Sequence, residues 1–194
     1  MRFVLSWPHA PRDLDFHILF KTGKFSKCEV FFGKTECSGA NLDVNNYLGG
    51  GRGVETVTLN TIGNFNYTIV VHKYNGKAAE NADSNRVKDA PVLLPAEEQF
   101  RNIPDINLYE SQAKVSVYAP GFKRAIKELE IPYNINNNYL DQSKDKDAPI
   151  HDWWLAFCLD GKSGLKSLAA VNKISAAKPD FGYCEKIYNA SRQP

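Results

Sequence analysis

The feature that most constrains the fold of this chain is an alternation of apolar and polar residues with a period of two. In the segment 65–72, apolar side chains stand at Phe65, Tyr67, Ile69 and Val71. Successive side chains of an extended strand point to opposite faces, so this pattern predicts a half-buried β-strand. The same interpretation applies to seven further segments, 1–7, 15–20, 28–32, 54–59, 113–118, 125–133 and 153–159.

Turn-forming residues, mainly Gly and Asn, separate these segments. We therefore expect an all-β fold, an antiparallel β-sandwich of the immunoglobulin-like or prealbumin-like type, in a single domain over residues 1–194. Segments 77–111 and 134–149 are predicted surface loops, and strands within 112–178 complete the sandwich. The segment 165–174 predicts either a last strand or a short helix, and 179–194 a tail.

Charge and hydropathy limit the classes of partner. The 194 residues carry a formal charge of +2 without a block of one sign, whereas nucleic-acid-binding proteins usually present a strongly basic face. No apolar run approaches the roughly 20 residues that span a bilayer. The expected partners are therefore other protein chains, a larger parent protein, or carbohydrate.

The four cysteines, Cys28, Cys37, Cys158 and Cys184, fall into two pairs of short separation. Four cysteines allow three pairings, and the short separations favour Cys28–Cys37, across the turn at 33–35 of a hairpin, and Cys158–Cys184. The alternative is four reduced thiols. The chain contains no CxxC or HxxxH spacing, which argues against zinc.

Disulfides and glycosylation motifs favour an extracellular or cell-surface location over a cytoplasmic one. Asn66 and Asn189 each begin an Asn-x-Ser/Thr sequence, the acceptor motif for N-glycosylation. No targeting segment precedes the first predicted strand, so an extracellular chain would be a mature or excised domain.

Two acidic motifs repeat the same spacing. Asp13 and Asp15 are two residues apart and share one side of an extended chain, and Asp43 and Asn45 repeat that arrangement. A glycine-rich turn at 49–53 and then Glu55 follow.

Five short segments occur in an order and spacing that resemble the YfaP-type β-sandwich domain: Asp13-Leu14-Asp15-Phe16-His17, Phe31-Phe32-Gly33, Leu42-Asp43-Val44-Asn45, Gly51-Arg52-Gly53-Val54-Glu55 and Gly63-Asn64-Phe65. The resemblance covers about residues 3–76, and the remainder is unassigned. The family occurs in bacterial envelope proteins and in some eukaryotic multidomain chains, often beside von Willebrand A-like modules, and its molecular function is not established. The resemblance implies a β-sandwich module.

The chain departs from that pattern at three positions. Asn45 and Asn46 stand where the family often has carboxylates, and Val54 replaces a frequent proline. Fewer carboxylates would lower the affinity of a family metal site.

The acidic residues allow three interpretations. Asp13, Asp15, Asp43, Asn45 and Glu55 offer the oxygen ligands that calcium prefers, and calcium is the one cofactor that this set indicates. Alternatively, the carboxylates accept hydrogen bonds from backbone amides of the 49–53 turn and need no ion. Paired carboxylates also occur in glycoside hydrolases, but no second catalytic element accompanies them here.

His17 and His72 lie on predicted strands and would meet if those strands pair. Histidines in sheets are more often hydrogen-bonded residues than metal ligands. Trp153 and Trp154 offer flat faces for carbohydrate, although neighbouring strand residues point to opposite sides, so only one of them can face the core. We therefore expect a non-catalytic extracellular or surface module for adhesion, assembly or ligand recognition. A calcium-dependent carbohydrate-binding module and a hydrolase with paired carboxylates are the alternatives.

Overall fold

The computed structural model describes residues 1–8, 10–46, 53–74, 106–132 and 152–190, and these fold mainly as β-strands. The strands are β1 (Arg2–Trp7), β2 (Leu14–Lys21), β3 (Lys27–Val30), β4 (Glu36–Cys37), β5 (Ala40–Val44), β6 (Gly53–Leu59), β7 (Asn66–Lys73), β8 (Lys114–Tyr118), β9 (Lys127–Glu130), β10 (Trp153–Asp160) and β11 (Ala169–Ser175). The helix α1 (Tyr183–Ala190) and two 3₁₀ turns, Leu108–Glu110 and Gly164–Ser167, complete the described elements.

The strands form two antiparallel sheets that pack against each other, which confirms the predicted all-β sandwich. The six-stranded sheet has the order β4-β5-β6-β1-β8-β9, and the five-stranded sheet has the order β11-β10-β7-β2-β3. The strands β2, β7 and β10 are therefore neighbours in the interior of the five-stranded sheet. Their side chains on the outer face, away from the other sheet, lie side by side.

Alternate residues of the central strands build the core between the sheets. Phe16 of β2 and Ile69 of β7 point inward and are completely buried. The residues two positions before and after each of them on the same strand also point inward and are buried. Burying one such side chain contributes roughly 1.5–3 kcal/mol. The residues between them, Asp15, His17 and His72 among them, consequently lie on the outer face of the five-stranded sheet.

The strand β10 departs from strict alternation. The sequence predicted that Trp153, Leu155, Phe157 and Leu159 share a face, but the pairing shifts by a bulge between Leu155 and Phe157. A bulge inserts one extra residue and changes which later residues face the core. Trp154, Phe157 and Leu159 are therefore core residues, and Trp153 lies on the outer face, so the expectation of a single inward tryptophan is met.

Both predicted disulfides are present, Cys28–Cys37 and Cys158–Cys184. The first does not close a simple hairpin, because β3 and β4 are edge strands of different sheets. A tight turn between them is held by Phe31 and Lys34, whose backbones exchange hydrogen bonds of 3.0 and 2.9 Å. The Cys28–Cys37 bridge thus joins the two sheets at one side of the sandwich, and Cys158–Cys184 attaches α1 to β10.

Some of the remaining sequence predictions concern described residues, and others lie outside them. The segment 165–174 contains both of its predicted alternatives, the end of a 3₁₀ turn and the strand β11, and the predicted tail contains α1. Most of the predicted loops at 77–111 and 134–149, with most of the 49–53 turn, lies outside the described residues. None of the described helices is long and apolar enough to cross a membrane.

Gly53, the first residue of β6, tests the packing at one end of the sandwich. A Cβ atom there would lie 1.9 Å from the ring of Trp7, which is buried and donates a 2.9 Å hydrogen bond from Nε1–H to the carbonyl of Pro11. Because that ring is held in place, we expect Gly53→Ala to lower the free energy of unfolding by about 1–3 kcal/mol or more in urea denaturation.

Gly23→Ala is the matched control. Its Cβ would meet nothing closer than Ser26 at 3.9 Å, and we expect a change within roughly 0.5 kcal/mol. Equal stability of the two variants would contradict the packing of Trp7 against Gly53.

Candidate functional site

The outer face of the five-stranded sheet carries a polar and aromatic cluster, which we call the outer-face cluster: Asp15 and His17 of β2, His72 of β7 and Trp153 of β10. The strand register places Asp15 opposite His72 and His72 opposite Trp153. His17 follows two positions after Asp15 and therefore points to the same face. Three neighbouring strands thus bring together residues from distant parts of the sequence.

The side chains of the outer-face cluster are in contact. The rings of His72 and Trp153 stack with centroids 4.0 Å apart, and those of His17 and His72 meet edge to face at 5.8 Å. Nδ1 of His72 lies 3.9 Å from Oδ2 of Asp15. One ligand atom from each of Asp15, His17 and His72 lies within 4.8 Å of the other two, so the three can converge on one small ligand.

Two polar atoms of the cluster are buried without a hydrogen-bond partner, Oδ2 of Asp15 and Nε2 of His17. The two residues are only 3% and 4% exposed. The ring of Phe31 stacks on His17 at 5.4 Å, and Trp153 covers another side at 5.2 Å. Aromatic walls therefore exclude water from atoms that need a partner.

Glu29 and Lys178 complete the surroundings of His17. Nδ1 of His17 lies 2.7 Å from Oε1 of Glu29, and Nζ of Lys178 donates to the same oxygen at 2.5 Å. Burial lowers the pKa of His17, although its hydrogen bond to Glu29 opposes this. Burial would raise the pKa of Glu29, but the hydrogen bonds from His17 and Lys178 outweigh it and hold that pKa below its usual value. Glu29 therefore holds the His17 ring through Nδ1, and Lys178 holds Glu29.

Three carboxyl groups gather near the start of β2, those of Asp13, Asp15 and Glu55. Glu55 points toward the interior from β6, on the same face as the core residue Val57. Its Oε2 accepts a 2.6 Å hydrogen bond from the backbone N–H of Phe16, and its Oε1 accepts one of 3.2 Å from the N–H of Asn46. The carboxylate that binds backbone amides is thus Glu55 of one sheet, and it reaches a strand of the other sheet.

Burial and electrostatic repulsion raise the pKa values of Asp13 and Glu55. Burial, with the charge of Asp15 as the second cause, raises the pKa of Asp13 to about 8. Burial and then the charge of Asp15 raise the pKa of Glu55 to about 9, against the hydrogen bond from Phe16. Oδ1 of Asp13 is buried without a hydrogen-bond partner. These raised pKa values favour the protonated forms of Asp13 and Glu55 near neutral pH.

The structure does not bring Asp43 into this group. Asp43 lies at a bulge of β5 and accepts a short hydrogen bond from the hydroxyl of Thr58, with Nε of Arg2 3.9 Å away. Thr58 alternates with the inward residues of β6, so Asp43 lies on the outer surface of the six-stranded sheet. Asn45 is exposed after the end of β5. Of the five predicted calcium ligands, Asp13, Asp15 and Glu55 interact electrostatically with one another, and Asp43 lies apart from them.

The other predicted site residues differ in how far their side chains are exposed to solvent. Trp154 is completely buried, and its Nε1–H donates a 2.9 Å hydrogen bond to Asn172, so its ring faces are closed to a sugar. Trp153 is half-buried, with His72 stacked on its ring. Of the two predicted glycosylation sites, Asn189 is exposed on α1, whereas Asn66 is half-buried at the start of β7.

Sequence reasoning missed Glu29 and Lys178 and assigned His17 and His72 to ordinary sheet hydrogen bonding. The available signal was the Asp15-x-His17 spacing, which places an oxygen and a nitrogen ligand on one strand face. The pairing partner of that strand, 55 positions away, supplies the second histidine.

No family model, curated protein or solved structure matches this chain. The resemblance to the YfaP-type domain therefore stays a prediction.

The raised pKa of Glu55 gives stability a pH dependence with a definite sign. Below its ordinary value of 4.5, Glu55 is protonated in both the folded and the unfolded chain. As the pH rises toward about 9, the unfolded chain releases the proton and the folded chain keeps it, so stability is lost. The contribution is about 1.4 kcal/mol for each pH unit in that window.

We expect Glu55→Gln, which cannot ionise, to remove this loss. In urea denaturation at pH 5, 7 and 9 with a chelator present, the variant should gain stability relative to the wild type as the pH rises. Glu130→Gln, at an exposed position of β9, should follow the wild type throughout. Parallel curves for Glu55→Gln and the wild type would show that Glu55 ionises normally.

Proposed function

We propose that this protein is a non-catalytic extracellular or surface module for ligand recognition, in the setting of adhesion or assembly. The outer-face cluster carries this proposal. A buried polar atom without a hydrogen bond costs about 1–3 kcal/mol, and Asp15 and His17 each contribute one. Such a cost at one place is typical of a binding site that a ligand completes.

The two disulfides support the extracellular part of the proposal. Disulfides persist in oxidising compartments and are rare in the reducing cytosol. Here they join the two sheets and attach α1 to the sheet that carries the outer-face cluster. Their placement stabilises the scaffold around the cluster.

The hydrogen bonds of Glu55 favour binding over hydrolysis by paired carboxylates. A general acid or base needs an oxygen free to exchange a proton with substrate. Both oxygens of Glu55 accept backbone hydrogen bonds, from Phe16 and Asn46, and the residue is 1% exposed. These contacts support a structural role for this carboxylate.

A calcium-dependent carbohydrate-binding module is the second candidate. The electrostatic repulsion among Asp13, Asp15 and Glu55 favours it, because calcium is bound by carboxylate oxygens and would neutralise that repulsion. The half-buried ring of Trp153 offers an apolar surface for a sugar. Because Asp43 lies on the outer surface of the other sheet, the remaining calcium ligands would include backbone oxygens or water.

Replacing Asp15 by leucine tests whether the outer-face cluster is kept for function rather than for stability. Leucine has no unpaired polar atom and removes the charge that acts on Asp13 and Glu55. We therefore expect Asp15→Leu, in chelator-treated protein, to raise the free energy of unfolding by about 1–3 kcal/mol in urea.

Asp43→Leu is the matched control. It removes a carboxylate that is hydrogen-bonded to Thr58, so we expect no gain in stability. If Asp15→Leu is less stable than the wild type, Asp15 has a structural role and the proposal loses the observation on which it rests.

Calcium titration tests the second candidate. A ligand that binds only the folded state raises the unfolding midpoint, so calcium should raise it in the wild type and in Asp43→Asn. Asp13→Asn removes one of the converging ligands and should reduce the shift. An unfolding midpoint that does not change at millimolar calcium, or that shifts equally in Asp13→Asn, would mean that the acidic group does not bind calcium.

A further inference from the structure

We propose that Asp15, His17 and His72 together bind a divalent transition-metal ion, with zinc as the preferred metal. The inference rests on the proposed function, since it names the ligand class of the outer-face cluster. It concerns the outer-face cluster with its two histidines, and not the carboxyl groups of Asp13 and Glu55.

The geometry of paired strands supplies the three ligands. Asp15 and His72 are directly opposed on β2 and β7, and His17 is diagonal to His72 on the same face. Their ligand atoms lie within 4.8 Å of one another. Zinc ligands at about 2.0–2.2 Å from the metal are roughly 3.3 Å apart in a tetrahedron. The ligand atoms therefore need to approach one another by at most about 1.5 Å, the difference between 4.8 and 3.3 Å, to bind one ion.

The unpaired atoms have the chemistry that a cation requires. Nδ1 of His17 is engaged with Oε1 of Glu29 at 2.7 Å, which leaves Nε2 as the ring nitrogen available to a metal ion. Nε2 of His17 is buried without a hydrogen-bond partner, as is Oδ2 of Asp15. A cation bound to these two buried atoms would give each of them the partner that it lacks.

The surroundings of His17 match those of a metal-bound histidine. Metal-binding histidines almost always donate their second ring N–H to a carboxylate, carbonyl or water, which fixes the tautomer and the ring orientation. Glu29 does this for His17, and Lys178 in turn holds Glu29 at 2.5 Å. Phe31 stacks on His17 and Trp153 on His72, so both rings are oriented before an ion arrives.

The ligand types select the metal. Two imidazoles and a carboxylate suit zinc and its first-row neighbours, whereas calcium takes oxygen ligands. All four cysteines are in disulfides, so no thiolate competes. Three protein ligands leave one tetrahedral position open, and His72 is the partly exposed member of the set. A carboxylate or imidazole of a bound partner could occupy that position.

The test uses the disulfide-bonded protein after metal removal by chelator, with zinc chloride and cobalt chloride as probes. Equilibrium dialysis should find one zinc ion per chain, and cobalt should give the visible absorption of a tetrahedral nitrogen and oxygen site. His72→Gln and Asp15→Leu should each weaken zinc binding by roughly 100-fold or more, since each removes a direct ligand. Glu29→Gln should weaken it by roughly 10–100-fold.

Asp43→Asn and Glu130→Gln are the controls, and both should bind zinc as the wild type does. Absence of zinc binding at millimolar concentration, a cobalt spectrum of free hydrated ion, or equal zinc affinity in the wild type and His72→Gln would overturn the proposal. Such a failure is separate from that of the proposed function, which is tested by the stability of metal-free Asp15→Leu. A more stable Asp15→Leu without zinc binding in the wild type would mean that the cluster recognises a different ligand.

Discussion

The double burial of β2 is the constraint on which the rest of this structure depends. Phe16 must face the core, so the alternation of the strand sends Asp15 and His17 to the opposite face. That face is itself covered, by Phe31 and Trp153, and the two polar side chains are almost completely excluded from water. A strand buried on both faces usually carries apolar residues throughout. Polar residues here therefore need partners from within the protein or from a ligand, and His17 finds only one of its two.

Local rules predicted the strands well, because side-chain direction in a strand depends only on neighbouring residues. The β7 pattern placed Tyr67 and Ile69 inward and His72 outward, and the structure agrees. The prediction failed at β10, where a bulge after Leu155 changes the alternation. No residue type in that segment indicates a bulge. The cysteine pairs were also correct, but their spacing could not show that Cys28 and Cys37 belong to different sheets. Sheet membership depends on the whole topology.

The same distinction between local rules and the topology of the whole fold applies to the candidate site. Asp13 and Asp15 were expected together because they are two residues apart, and Glu55 joins them only through the packing of the two sheets. Asp43 followed the same local rule, but β5 belongs to the other sheet and a bulge sends its carboxylate to the outer surface. The pair of His17 and His72 depends on the pairing of β2 with β7. The absence of an HxxxH spacing argued against zinc, yet that motif describes ligands on one continuous segment and does not cover ligands on paired strands.

Asp15 connects the outer face of the five-stranded sheet to the carboxyl group at the start of β2. Its charge contributes to the raised pKa of Glu55, which holds the backbone of Phe16 in the same strand. A cation that neutralises Asp15 on the outer face would therefore also remove one cause of the raised pKa of Glu55 on the inner side. Glu55 joins β6 of one sheet to β2 of the other. The charge of Asp15 therefore affects both ligand binding at the surface and the packing of the two sheets. A residue that merely filled a gap in the outer face would have no such effect on the interior.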